Sequence, residues 1–67
     1  MTDEINTITQ GSIWEHRNGA KYKVLHLANI GGGEGYQPQV VYQGENWKVW
    51  VRPLSDWHRS MSLVAKN

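Results

Sequence analysis

Side chains able to do chemistry crowd into one stretch, Trp47–Ser60 (WKVWVRPLSDWHRS). It holds three of the four tryptophans, with a lysine, two arginines, an aspartate and a histidine among them. Trp, Tyr and Arg carry much of the binding energy at interfaces, because each joins large contact area to a polar edge or a charge. A strand's two-residue period puts Trp47, Val49 and Val51 on one face of this stretch and Lys48, Trp50 and Arg52 on the other. With the valines inward, Trp50 faces out between two cations. One reading makes Trp50 a cover for the outer wall, with Arg52 stacked on it. The other makes Trp50, Arg52 and Tyr42 a recognition patch, extended by Lys48, Trp47 and Tyr36.

The remaining constellations are weaker. His16, His26 and His58 are the only histidines, and no local metal-binding spacing such as H-E-x-x-H joins them. His16, just before a turn, reads as a surface residue, and His26 as a partly buried, hydrogen-bonded one between Leu25 and Leu27. Asp56, His58 and Ser55 or Ser60 have the residue types of a catalytic triad. Residues this close in one segment rarely reach triad geometry, and no oxyanion feature accompanies them. The glycine-rich GGGEG (Gly31–Gly35) lacks the G-K-[ST] ending of a phosphate loop, and no helix follows it. The residues therefore point to no catalytic group, no metal and no cofactor.

The elements that position these residues are short strands. Ser12–His16 and Ala20–Ile30 flank Arg17-Asn18-Gly19, whose Asn-Gly suits positive φ, and so predict a hairpin. Gly31–Pro38 is a glycine-rich connection. Gln39–Gln43 and Trp47–Arg52 flank the turn Gly44–Asn46 and predict a second hairpin. Pro53 ends the fourth strand, the following PLSDWHR suits one tight 3₁₀ turn with Ser55 or Asp56 bonding locally, and Ser60–Ala65 is a last strand. This order predicts an all-β, five-stranded SH3-like barrel with one 3₁₀ turn before the last strand. The alternative is an open, highly bent sheet with the N-terminal segment across it. Residues 1–10 read as a flexible tail, with Ile5 and Ile8 touching the body, and 11–67 as a single domain. The expected core is Tyr22, Val24, Leu25, Val41, Val49, Val51, Leu54 and Leu63.

Composition narrows the classes further. At 67 residues the chain buries only about 60% of its unfolded surface, and it has no Cys, so packing must hold it without disulfides or thiolate metal sites. Four Trp and three Tyr, with no Phe, supply the bulk. Seven Lys+Arg against six Asp+Glu give a net charge of +1, far from a dedicated nucleic-acid binder. No apolar run suits a membrane span or a secretion signal, so the cytoplasm is the expected compartment.

IWEHRNGAKYKVLHLAN, PQVVYQGEN and VWVRPLSDW together resemble short bacterial and phage or prophage proteins of unassigned function, akin to the DUF1653 domain family. Its pattern runs H-x-x-G-x-x-Y-x-V-L, then V-V-Y, then W-V-R-P-L, and the resemblance covers roughly Ile13 to Met61. It implies a fold and a phage-like setting, and no activity. The resembling sequences commonly carry glycine where this chain has Trp47, so Trp47 is the tryptophan least expected to serve folding. Together these readings give a non-enzymatic binding or adaptor module for a protein partner, such as a host bacterial protein. The alternative is nucleic-acid binding, with Trp50, Trp47 and Tyr36 stacking on bases and Lys48, Arg52 and Arg59 meeting phosphates.

Overall fold

A computed structural model describes residues 8–67. Five antiparallel strands, β1 (Ile13–His16), β2 (Lys21–Ala28), β3 (Gln39–Gly44), β4 (Val49–Pro53) and β5 (Met61–Ala65), form one open sheet. Among the described residues one helix, α1 (Leu54–Trp57), lies between β4 and β5. It is one turn of α-helix rather than the expected 3₁₀ turn. The sheet order is β4-β3-β2-β1-β5, so β4 and β5 are its two edges.

Both tight hairpins close in the same way. In the first, the Gly19 N–H donates to the His16 carbonyl, the His16 N–H to the Ala20 carbonyl, and the Ala20 N–H to Asn18 Oδ1. In the second, the Trp47 N–H donates to the Gly44 carbonyl, the Gly44 N–H to the Lys48 carbonyl, and the Lys48 N–H to Asn46 Oδ1. Each turn ends on a residue of positive φ, Gly19 at 96° and Trp47 at 69°. The longer β2–β3 connection folds as two successive turns, with Gly32 N–H donating to the Asn29 carbonyl and Tyr36 N–H to the Gly33 carbonyl.

The concave face carries the core. Ile8, Trp14, Val24, Val40, Tyr42, Trp57 and Met61 are buried, with Tyr22, Leu27, Leu54 and Leu63 packed partly buried against them. Of the expected core, Val24 is central and Tyr22, Leu54 and Leu63 are marginal. Val41, Val49 and Val51 are corrections. Tyr42 pairs with Trp50 and Val40 with Arg52. Because directly paired residues share a face, Trp50 and Arg52 join the core side, while the valines of β4 point outward and are exposed. A register shift between Val24 and His26 makes Leu25 the extra residue of a bulge. Leu25 is therefore only half-buried, and His26, expected to be partly buried, is exposed. Ile8, assigned to the tail, is fully buried. Residues 1–7 of that tail lie outside the described residues.

Helix α1 owes its place to two hydrogen bonds rather than to a side-chain cap. The Leu54 N–H donates to the Pro38 carbonyl at 2.9 Å and the Ser60 N–H to the Trp57 carbonyl at 3.4 Å. Asp56 does bond locally, through a 2.9 Å pair with Arg59 that is largely exposed and so contributes little. This turn drives Trp57 into the core, edge-to-face with Trp14 at 5.6 Å and with Tyr42 at 5.0 Å. Trp57 Nε1 is buried with no hydrogen-bond partner among the described residues. Trp57→Ala is expected to cost about 3–5 kcal/mol, most of the stability of so small a domain. Trp57→Phe keeps much of the packing and removes the unpartnered N–H, so it should cost far less; denaturant unfolding of both variants checks this. Leu54→Ala, at a partly buried position, should fall well below the Trp57→Ala loss.

Candidate binding groove

The concave face is not covered along its whole width. Between its core and the β4 edge lies a groove of about 200 Å³ lined by His16, Tyr22, Tyr42, Trp50, Arg52 and Met61. A second recess of about 200 Å³ lies on the other side of Trp50, against Ala20, Tyr22 and the Gly44–Asn46 turn. Tyr22 and Trp50 line both, so the two recesses adjoin with Trp50 between them. At roughly 30 Å³ per water molecule, each half holds one medium side chain or a few waters. Small-molecule sites usually run to about 300–1,000 Å³, which favours a partner that inserts single side chains.

Each wall has a structural reason. Tyr42 is buried, its ring edge-to-face with Tyr22 at 5.2 Å and with Trp57 at 5.0 Å, so it forms the floor and belongs to the core as much as to the groove. Trp50 sits directly across from Tyr42 but on the edge strand, with no described strand beyond it, and remains 47% exposed. Arg52 is half-buried and its guanidinium donates to Ser60 Oγ at 3.3 Å, reaching across the open end towards β5. His16 Nδ1 accepts the Asn18 N–H, which holds the imidazole at the rim. It is half-buried, less exposed than its place beside a turn suggests.

The expected binding residues thus separate into three places. Trp50, Arg52 and Tyr42 share the groove. Trp47 and Lys48 stand at the β3–β4 turn, both exposed. Tyr36 stands on the β2–β3 connection, exposed at the opposite end of β3. With six residues in β3 at about 3.3 Å each, Tyr36 lies roughly 20 Å from the Trp47 turn. His16, Tyr22 and Met61 complete the groove and carried no binding signal in the sequence. The alternation of β1 puts His16 on the face of Trp14, but only the β1–β5 pairing, His16 opposite Met61, brings it to this rim.

Trp47 is the outlier of the site. The β1–β2 turn, built with the same hydrogen bonds, has Gly19 at the corresponding position. Left-handed backbone costs a non-glycine residue about 1–2 kcal/mol, and Trp47, 79% exposed, gains no packing in return. A bulky aromatic kept out in water on strained backbone contributes nothing to folding.

Among the described residues, no three His, Asp or Glu side chains converge as a metal site would need, and no helix is long and apolar enough to cross a membrane. Comparison with protein-family models, curated proteins and solved structures gives no match.

Trp47→Gly is expected to raise stability by up to about 1 kcal/mol, the left-handed strain less the added chain entropy of glycine. Thermal unfolding checks the sign: a clear loss of stability would show that Trp47 packs in solution.

Proposed function

We infer that this chain is a small binding or adaptor module that recognises a protein partner through the Trp50 groove and the Trp47–Lys48 turn beside it. The observation that carries this reading is the placing of Trp50. It lies on the core side of an edge strand, half-exposed, between two recesses each sized for one side chain. An aromatic anchor flanked by Arg52 and Lys48 and ringed by Tyr22, Tyr42 and Met61 has the composition of an interface hot spot. Trp47, exposed against the preference of its backbone, supplies a second anchor on the same edge of the sheet. Binding rather than catalysis is the role these groups suit.

The strand order β5-β1-β2-β3-β4, with one helical turn between β4 and β5, supports an SH3-like barrel as the finer description. The W-V-R-P-L and V-V-Y motifs support a phage or prophage setting akin to the DUF1653 family, and with it a bacterial cytoplasm and a host protein as partner. The nucleic-acid alternative has less support. Tyr36 and Trp47 stand at opposite ends of β3 and Arg59 is paired with Asp56, so the proposed stacking and phosphate contacts do not line one path.

Selection from a random-peptide display library should enrich peptides that bind the native chain and not its Trp50→Ala variant, with Trp47→Ala weakening the same peptides. Enrichment independent of Trp50, or tight Trp50-dependent binding of single-stranded oligonucleotides with no peptide enriched, would overturn the reading.

A further inference from the structure

Strand β4 leaves one side of its backbone unpaired among the described strands, and the hydrogen-bond alternation tells which groups are exposed. The Gly44 N–H donates to the Lys48 carbonyl and the Leu54 N–H to the Pro38 carbonyl. Tyr42 pairs with Trp50 and Val40 with Arg52 between them. Trp50 and Arg52 therefore spend their backbone groups on β3, and the Lys48 carbonyl and the Leu54 N–H point the same way at either end. In an antiparallel ladder the intervening residues point theirs the other way, so Val49 and Val51 each offer one N–H and one C=O to the open edge. Pro53, with no N–H, ends the row. The side chains alternate in the same register. Trp50 and Arg52 line the groove on the concave face, Lys48 follows them in parity at the turn beside it, and Val49 and Val51, 53% and 60% exposed, stand on the convex face.

We propose that β4 is a strand-addition site, taking an extended antiparallel peptide whose concave-facing side chains run acidic, apolar, acidic and whose two intervening residues are β-branched. This rests on the reading of the chain as a protein-binding module and names the partner's chemistry. The acidic residues meet Lys48 and Arg52, and the apolar one lies against Trp50 and enters the recess over Tyr22, Tyr42 and Met61. The β-branched pair covers Val49 and Val51 and hydrogen-bonds to their free backbone groups. Charge decides the occupant. If a second copy pairs antiparallel over the full strand, with Trp50 opposite Trp50, Lys48 falls opposite Arg52 at both ends, a like-charge arrangement that disfavours self-association. An acidic peptide turns the same two cations into attractive partners.

The probe is the synthetic peptide Ser-Gly-Glu-Val-Leu-Val-Asp-Gly-Ser, titrated into the isotope-labelled chain and followed by NMR. Binding should shift the Val49 and Val51 amides and the Trp50 indole. N-methylating both peptide valines, whose amides face β4, should weaken binding by about tenfold or more, the weight of one or two net hydrogen bonds. N-methylating the leucine, whose amide faces away, should leave it nearly unchanged. Replacing Glu and Asp of the peptide by Lys should also weaken binding. Because these changes are made in the peptide, no variant has to fold. Failure to bind, equal binding of the valine-methylated or lysine peptide, or self-association of the chain through Val49 and Val51 would each overturn the proposal. If library selection nonetheless enriches Trp50-dependent peptides, strand addition falls and the protein-binding reading stands; if neither assay yields a peptide, both fall.

Discussion

The structure depends on one aromatic contact series, Tyr22 to Tyr42 to Trp57 to Trp14, each pair edge-to-face with ring centres 5.0–5.6 Å apart. Tyr22 and Tyr42 come from the middle of the sheet, Trp14 from β1 and Trp57 from the helical turn before β5. The series therefore binds together parts of the chain that backbone pairing alone would leave separate. A domain of this size without disulfides has few other ways to bury enough apolar area. Aromatic rings give the most area for the rotamer freedom lost. The polar edges of this core are met unevenly. Trp14 Nε1 donates to Ser12 Oγ at 2.9 Å, and Ser12 in turn donates to the Thr9 carbonyl at 2.6 Å. Trp57 Nε1 has no such partner among the described residues, so one of the two largest buried side chains also carries a polar penalty.

The same series creates the groove. Tyr42 is held edge-to-face against Trp57 and Tyr22, which leaves its neighbour across the ladder, Trp50, on the core side of an edge strand with no described strand beyond it. Trp50 is thus half in the core by geometry and half in solvent by topology. Arg52, one step further along the same face, spans the open end by donating to Ser60 Oγ. A further strand paired to β4 would have enclosed this edge; in the order β4-β3-β2-β1-β5 no described strand does so. Position on the edge, more than residue type, makes these side chains candidates for binding.

The two hairpin turns make a controlled comparison inside one chain. Asn18 and Asn46 play the same part, each side-chain oxygen accepting the N–H two residues on. The intervening residue is Gly19 in one turn and Trp47 in the other, on backbone of the same hand. The strain of the second turn is local and small beside the core, so the fold tolerates it.

Much of the architecture was legible in the amino-acid order. Asn18-Gly19, the glycine-rich 31–35 segment, Pro53 and the two-residue periods locate five strands, their order along the chain and the helical turn, because turn chemistry and alternation are local properties of the backbone. Trp47 as the tryptophan least needed for folding comes from the glycine that the resembling sequences carry there, since alternation alone groups it with the valines. What alternation cannot decide is which face turns inward, since a one-residue change of parity exchanges the faces. In β4 the valines looked like the buried set, but the pairing of Tyr42 with Trp50 turned them outward and brought Trp50 and Arg52 to the core side. The Leu25 bulge did the same to His26, and the β1–β5 pairing brought His16 to Met61. Those choices depend on contacts between residues far apart in the chain, so only the tertiary structure settled which aromatic groups fill the core and which line its open edge.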